Sequence, residues 1–216
     1  MSDRAAAVKQ RRAVQRLRAM YVVLASGQGT RMGGPKALLL YNGATPLAVA
    51  HVRALRAQGV QAVVVTRACM ARALLRFDPT VHVVVSEAAE EQGPAGSIAA
   101  LVRARVLDEY DGALLSPVDL VPSRASTIRA LVDALRRGAD AACPCYAGRG
   151  GHPVAIRTDA LLKAYETEPP PTLRDVLAGM GPTRVFVSVD DPDVRTNLDT
   201  PDAWLARTGR SPSFWT

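Results

Sequence analysis

The sequence predicts an α/β fold of three layers with a mostly parallel central sheet, and three observations lead there. Short runs rich in β-branched residues alternate with longer segments of helical periodicity, the pattern of strands covered by crossover helices. Several of the helical segments open beside a proline, where a first turn tolerates the missing N–H. The first apolar run passes directly into a glycine-rich loop and then back into leucines.

Taken in order, the strands are MYVVLA from Met20, AVVVT from Ala62, HVVVS from His82, GALLSPV from Gly112, AACPCY from Ala141, PVAI from Pro153 and RVFVSV from Arg184. Helices follow Pro46, Arg67, Pro94, Pro122, Thr158 and Thr172, with a short last one after Pro201. There is no internal repeat, and ETEPPPT from Glu166 is a stiff exposed connection too short to separate domains. A chain of 216 residues buries one substantial core, so residues 20–216 are expected to form a single domain behind a basic extension over residues 1–19.

Apolar residues at 48% and charged residues at 22% exclude a largely disordered chain. No apolar run approaches the roughly 18 residues of a bilayer span, and the first 20 residues lack the apolar core of a secretion signal; the expectation is a cytoplasmic protein without a membrane partner. The three cysteines, Cys69, Cys143 and Cys145, lack zinc-ligand spacing and read as reduced thiols. Net charge is +7, but six basic residues against Asp3 place +5 of it in the first 20 residues and leave the rest at +2. No aromatic residue interleaves Arg4, Lys9, Arg11, Arg12, Arg16 and Arg18 to stack on bases, so the arm reads as a solvated extension rather than a nucleic-acid surface.

Chemistry concentrates in YVVLASGQGTRMGGPKALLL from Tyr21. Gly27, Gly29, Gly33 and Gly34 let the backbone turn sharply and bring amide N–H groups close to a ligand. Converging amides make a nest for anionic oxygen, and Arg31 and Lys36 add positive charge. Phosphate is the natural guest. A P-loop requires Gly-Lys-Ser/Thr, whereas Gly34-Pro35-Lys36-Ala37 offers no hydroxyl for a metal. A dinucleotide fingerprint requires a glycine where Met32 stands, which weakens a reading as an NADP-binding reductase with Arg67 on the 2′-phosphate.

LASGQGTRMGGPKALL resembles instead the signature of nucleotidyltransferases of the molybdopterin guanylyl- and cytidylyltransferase family, approximately L-A-[AG]-G-x-[SG]-x-R-M-G-x-x-K. The resemblance implies a Rossmann-like nucleotidyltransferase fold and a loop wrapped around the triphosphate of an incoming NTP. Leu24, Ala25, Ser26, Gly27, Gly29 and Thr30 would line the nucleotide, with Arg31 and Lys36 as catalytic contacts to its phosphates. Ser26 stands where relatives have Ala or Gly.

A triphosphate calls for a divalent cation and hard oxygen ligands. Asp119 ends the strand GALLSPVDLVPS, and its surroundings resemble the family's P-[VC]-D-x-P block with one residue inserted before Pro122, which implies a catalytic, Mg2+-binding Asp119. VDDPDVRTNLDTPDAWL resembles the family's closing motif, making Asn197 and Asp199 candidates for the second metal ligand. Asp190, Asp191 and Asp193 are expected in an exposed turn. Gly93, Gly96 and Ser97 occupy the place where relatives contact base and ribose; the start of a capped helix explains them equally. YAGRGGHPVAI resembles the G-x-R-G-H-P-V block of the cytidylyltransferase branch and implies an acceptor-side role for Gly151, His152 and Pro153.

Pro35 before Lys36, Val118 before Asp119 and the Gly-His-Pro block favour CTP, while QGPAG resembles the GTP-using branch. Pro170 and Pro171 replace the Gly-Asp expected before TLRDVL, a departure in the acceptor region. The expected activity is transfer of NMP to a phosphorylated small-molecule acceptor, molybdopterin by resemblance, with release of pyrophosphate; a molybdoenzyme or chaperone is the implied protein partner. The alternatives are a sugar-phosphate nucleotidyltransferase and an RNA-associated module built on the basic arm.

Overall fold

The structure is a computed structural model that describes residues 17–87 and 92–216; Arg4, Lys9, Arg11, Arg12 and Arg16 of the basic arm, and Glu91, lie outside the described residues. Eight strands form one sheet: β1 Ala19–Leu24, β2 Ala62–Thr66, β3 Val83–Val85, β4 Gly112–Pro117, β5 Ala141–Tyr146, β6 Arg149–Gly150, β7 Val154–Arg157 and β8 Arg184–Ser188. Their order is β3-β2-β1-β4-β7-β5-β6, with β8 on the other edge of β5. The pairs β3/β2, β2/β1, β1/β4 and β5/β8 are parallel; β7 runs antiparallel to β4 and β5, and β6 to β5.

The helices are α1 Leu47–Ala57, α2 Ala68–Phe77, α3 Gly93–Arg103, α4 Ala125–Arg136, α5 Thr158–Ala164, α6 Leu173–Gly179 and α7 Pro201–Thr208. Alternation along the strands sorts the core into two faces, since side chains point up and down with a period of two. Tyr21, Val23, Val64, Leu114 and Ala142 face the helices α1, α2, α4 and α7. Met20, Val22, Val63, Leu115 and Cys143 face α3, α5 and α6. Strands buried on both faces read as unbroken apolar runs, which is why MYVVL and AVVV were legible as strands.

In α4 the buried residues Thr127, Ile128, Leu131, Ala134 and Leu135 follow the 3.6-residue period, and each large aliphatic side chain removed from water contributes about 2 kcal/mol. Thr172 and Thr200 cap α6 and α7 by accepting from the backbone N–H groups of Asp175 and Ala203, the Thr preference for helix starts. None of the helices among the described residues is long and apolar enough to cross a membrane.

Two expectations need correction. The helix placed directly after Pro122 starts at Ala125, because long-range contacts tie down the segment before it: Leu120 pairs with Asn197, and the Tyr21 and Ser123 hydroxyls lie 2.6 Å apart. Nor is Asp191 in an exposed turn. It is 1% exposed, accepts from the Thr127 hydroxyl at 2.7 Å and from Asp193 N–H at 3.2 Å, and pairs with Arg124 at 3.3 Å, so three polar partners offset its burial.

Candidate active site

Strand β1 lies between β2 and β4, so its neighbours leave in opposite directions, and Leu24 pairs with Pro117 at the carboxyl ends. A crevice opens at such a switch point of a parallel sheet. Here it is a cleft of ≈ 860 Å³ that extends over the face covered by α3 and α6.

The glycine-rich loop forms one wall. Gly29, at φ 64°, and Gly33, at φ 81°, flank a turn of 3-10 helix over Thr30–Met32; left-handed φ of this kind suits glycine. A Cβ on Gly29 would also run into the carbonyl oxygen of Gly34. Met32, 4% exposed, anchors the loop in the core. A second short turn, Lys36–Leu38, aims Lys36 back at the cleft. Ser26 ties the loop to α3: its hydroxyl accepts from the Ser97 hydroxyl at 2.9 Å and donates to the Val65 carbonyl at 3.4 Å.

Opposite the loop stands Asp119. The Lys36 ammonium donates to Asp119 at 2.8 Å and to Asp199, and Arg31 approaches Asp199 at 3.9 Å. The backbone around Asp119 is fixed on several sides. Its carbonyl accepts from Leu198 N–H at 2.7 Å, and Val118 N–H donates to the Leu24 carbonyl at 3.0 Å. The His51 Nε2 lies 3.1 Å from the Val118 carbonyl and 2.9 Å from the Leu120 carbonyl. Both partners are acceptors, so Nε2 carries the proton. The residue inserted before Pro122 is absorbed in the core, since Leu120 and Val121 are both buried.

Charge governs the cluster. Burial alone would lower the Lys36 pKa, but hydrogen bonds and attraction from Asp119 and Asp199 outweigh it and raise it. Burial, assisted by repulsion from Asp199, raises Asp119 against the opposing pull of Lys36. The hydrogen bond from Lys36 holds Asp199 below the usual carboxylate range. The two carboxylates thus titrate apart, as like charges sharing one cation do.

Across the cleft, His152 N–H donates to the Val194 carbonyl at 2.8 Å and Gly151 N–H to the Pro144 carbonyl at 2.9 Å. Gly151 packs so tightly there that a Cβ would meet the Val194 carbonyl. Burial lowers the His152 pKa.

Of the residues singled out in the sequence, Leu24, Ser26, Gly27, Gly29, Thr30, Arg31, Lys36, Gly93, Ser97, Asp119, Gly151 and His152 line the cleft. Ala25 and Pro153 are buried behind its wall, and Gly96 is buried within α3. Asp199 reaches the cluster through Lys36, whereas Asn197 is exposed and sits across from Leu120. No group of three or more His, Cys, Asp or Glu able to hold a metal occurs among the described residues. The carboxylates that meet at Lys36 are Asp119 and Asp199, oxygen donors of the type that hard cations take.

Sequence reasoning missed His51, whose signal is a single histidine on the buried face of α1, and the far end of the cleft, where Arg174, Arg184 and Phe186 stand. The Arg184 guanidinium lies 5.3 Å from the Phe186 ring centre; the alternation of β8 gives both one face, but nothing local shows that this face borders a cleft.

The MobA-like NTP transferase domain family matches residues 21–184. No curated protein matches the chain in sequence. Among solved structures, the chain is similar to the Mycobacterium sp. strain JC1 homologue of Mycobacterium tuberculosis Rv0371c, with 26% identity, a TM-score of 0.72 and coverage of 89% of this chain and 97% of that one. The Mycobacterium tuberculosis H37Rv Rv0371c complex with manganese gives 24% identity, a TM-score of 0.68 and coverage of 89% and 98%. The molybdopterin-guanine dinucleotide biosynthesis protein A of Archaeoglobus fulgidus gives 16%, 0.66, 88% and 97%.

Proposed function

The chain belongs to the MobA-like NTP transferase domain family, and from that premise we propose that it transfers NMP from an NTP, CTP in preference to GTP, to the phosphate of a small acceptor of the molybdopterin class, releasing pyrophosphate. The observation that carries this reading is the Lys36 ammonium set between Asp119 and Asp199 beside a glycine-rich loop. An anion cradle then shares one cleft with Asp119, and Asp199 joins it through Lys36.

In the reaction, an oxygen of the acceptor phosphate attacks the α-phosphorus. The bond from the α-phosphorus to the bridging oxygen of the β-phosphate breaks, pyrophosphate leaves with that electron pair, and a diphosphate linkage remains. A phosphate monoester has a second pKa of about 6, so the nucleophile is largely ionised at neutral pH and no general base is needed. The loop amides, Arg31 and Lys36 hold the triphosphate and offset the charge that develops on it. Asp119 and Asp199 would hold Mg2+, which when bound neutralises phosphate charge. Gly151 and His152 border the acceptor, and Gly93 and Ser97 the nucleoside.

The manganese in the mycobacterial relative supports a divalent ion in this fold, and the Gly-His-Pro block supports CTP. The experiment is pyrophosphate release measured with each NTP, Mg2+ or Mn2+ and a panel of phosphorylated acceptors. Turnover strongest with CTP and a phosphorylated pterin is expected; a preference for GTP would move the chain to the guanylyl branch, and a sugar phosphate as best acceptor would replace the acceptor assignment. No turnover with any NTP would overturn the reading.

A further inference from the structure

The C-terminal tail lies outside the matched residues 21–184, yet it packs on the glycine-rich loop. Its backbone pairs with the segment that follows Lys36: Leu40 N–H donates to the Ser213 carbonyl at 2.9 Å and Trp215 N–H to the Leu38 carbonyl at 2.9 Å, with Leu39 opposite Phe214. The tail is also tied to α2. The Trp215 ring stands edge-on to Phe77 at 5.1 Å, and Arg76 donates to the Thr216 carbonyl at 2.9 Å.

This register lays the Phe214 ring on Gly34, where a Cβ would come within 3.0 Å of the ring. Gly34 in turn backs Gly29. Its N–H donates to the Gly29 carbonyl at 3.3 Å, and its own carbonyl fills the space beside the Gly29 α-carbon. Contact therefore runs from the ring through Gly34 to the left-handed turn at Gly29, and along the chain to Lys36. A loop built of glycines has little side-chain packing of its own; here only Met32 and Ala37 are buried in its two turns. Such a loop samples many conformations unless something outside it restricts them.

We propose that Phe214 is a positioning residue for the nucleotide loop: the tail presses its ring against Gly34 and holds the backbone from Gly27 to Lys36 in the shape that receives the triphosphate. The inference rests on reading that loop as the phosphate cradle. A pre-shaped cradle binds without the cost of ordering itself first, so the tail acts on NTP affinity while contributing no group to the reacting atoms.

The test compares full-length wild type with Phe214→Ala, Phe214→Tyr, Gly34→Ala and the Gly34→Ala/Phe214→Ala double variant. Equilibrium binding of MgCTP and MgGTP, amide hydrogen exchange over residues 27–36 and the two KM values are measured. In Phe214→Ala, NTP affinity is expected to fall about tenfold, exchange across the loop to quicken, and the acceptor KM to stay within about twofold. Phe214→Tyr keeps the ring and retains wild-type affinity. Gly34→Ala pushes on the ring from the other side and weakens binding, but adds little once Phe214 is gone, the coupling expected of residues in contact. Unchanged NTP affinity and unchanged exchange in Phe214→Ala, or an equal rise in both KM values, would overturn the proposal. Wild type that binds no NTP would overturn the phosphate reading itself, and the exchange measurement then decides whether the ring braces the loop.

Discussion

Lys36 and Asp119 meet at 2.8 Å although 83 residues separate them in the chain. One comes from the loop after β1, the other from the end of β4, and the parallel pairing of those strands forces the encounter. Asp199 reaches the same ammonium. Lys36→Ala leaves two neighbouring carboxylates without their shared cation and, on the proposed function, removes a contact to the triphosphate. The kcat/KM for pyrophosphate release should fall by about 10²-fold or more, in line with the loss of a preorganised charge.

Asp119→Asn keeps the backbone bond from Leu198 N–H and the side-chain volume, but removes one of the two carboxylate charges beside Lys36, and with it a ligand of the proposed metal. Folding should change little. Activity should fall by at least about 10²-fold, and a titration with Mn2+ should show a higher metal concentration at half-maximal rate. Full activity in both Lys36→Ala and Asp119→Asn would end the assignment of the site.

Gly151→Ala places a methyl against the Val194 carbonyl. That carbonyl cannot move freely, because it accepts from His152 N–H at 2.8 Å. Overpacking against backbone costs about 1–3 kcal/mol, so thermal unfolding should shift to lower temperature, and the acceptor KM should rise while the NTP KM is spared.

His51 is wholly buried and burial lowers its pKa from 6.5 to about 4, the bonds to Leu120 and Val118 opposing that only in part. The folded chain keeps the ring neutral, whereas the unfolded chain binds a proton below about pH 6.5. Its contribution is therefore fully present above pH 6.5 and is lost progressively as pH falls toward 4, amounting to about 3 kcal/mol. Urea unfolding followed between pH 7 and 4 should show this loss, and His51→Gln should flatten it.

Removal of residues 1–16 takes away most of the basic excess and keeps every described residue that lines the cleft. NTP turnover should persist within about twofold. Loss of turnover together with a salt-sensitive affinity for RNA would make the arm the functional element instead.

What the sequence shows and what it hides divide by distance along the chain. The buried strands are continuous apolar runs, and the loop from Gly27 to Lys36 is a local pattern, so the fold class and the glycine turn that walls the cleft are both readable there. Asp119 was readable because a strand end and a proline frame it. His51 was not, since its role depends on carbonyls 67 and 69 residues away. Asp191 looked like a solvated turn because its partners Thr127 and Arg124 belong to the start of α4. Phe214 gave no sign of its contact with Gly34, as the tail carries no periodic pattern and its register is set by Leu38 and Leu40.

The three-way meeting of Lys36, Asp119 and Asp199 also has a temporal side. Chains emerge from the ribosome amino end first, and Asp199 follows Lys36 by 163 residues. The nascent protein can lay down β1, β2 and β4 early, but its charge cluster stays open until Asp199 has emerged as well.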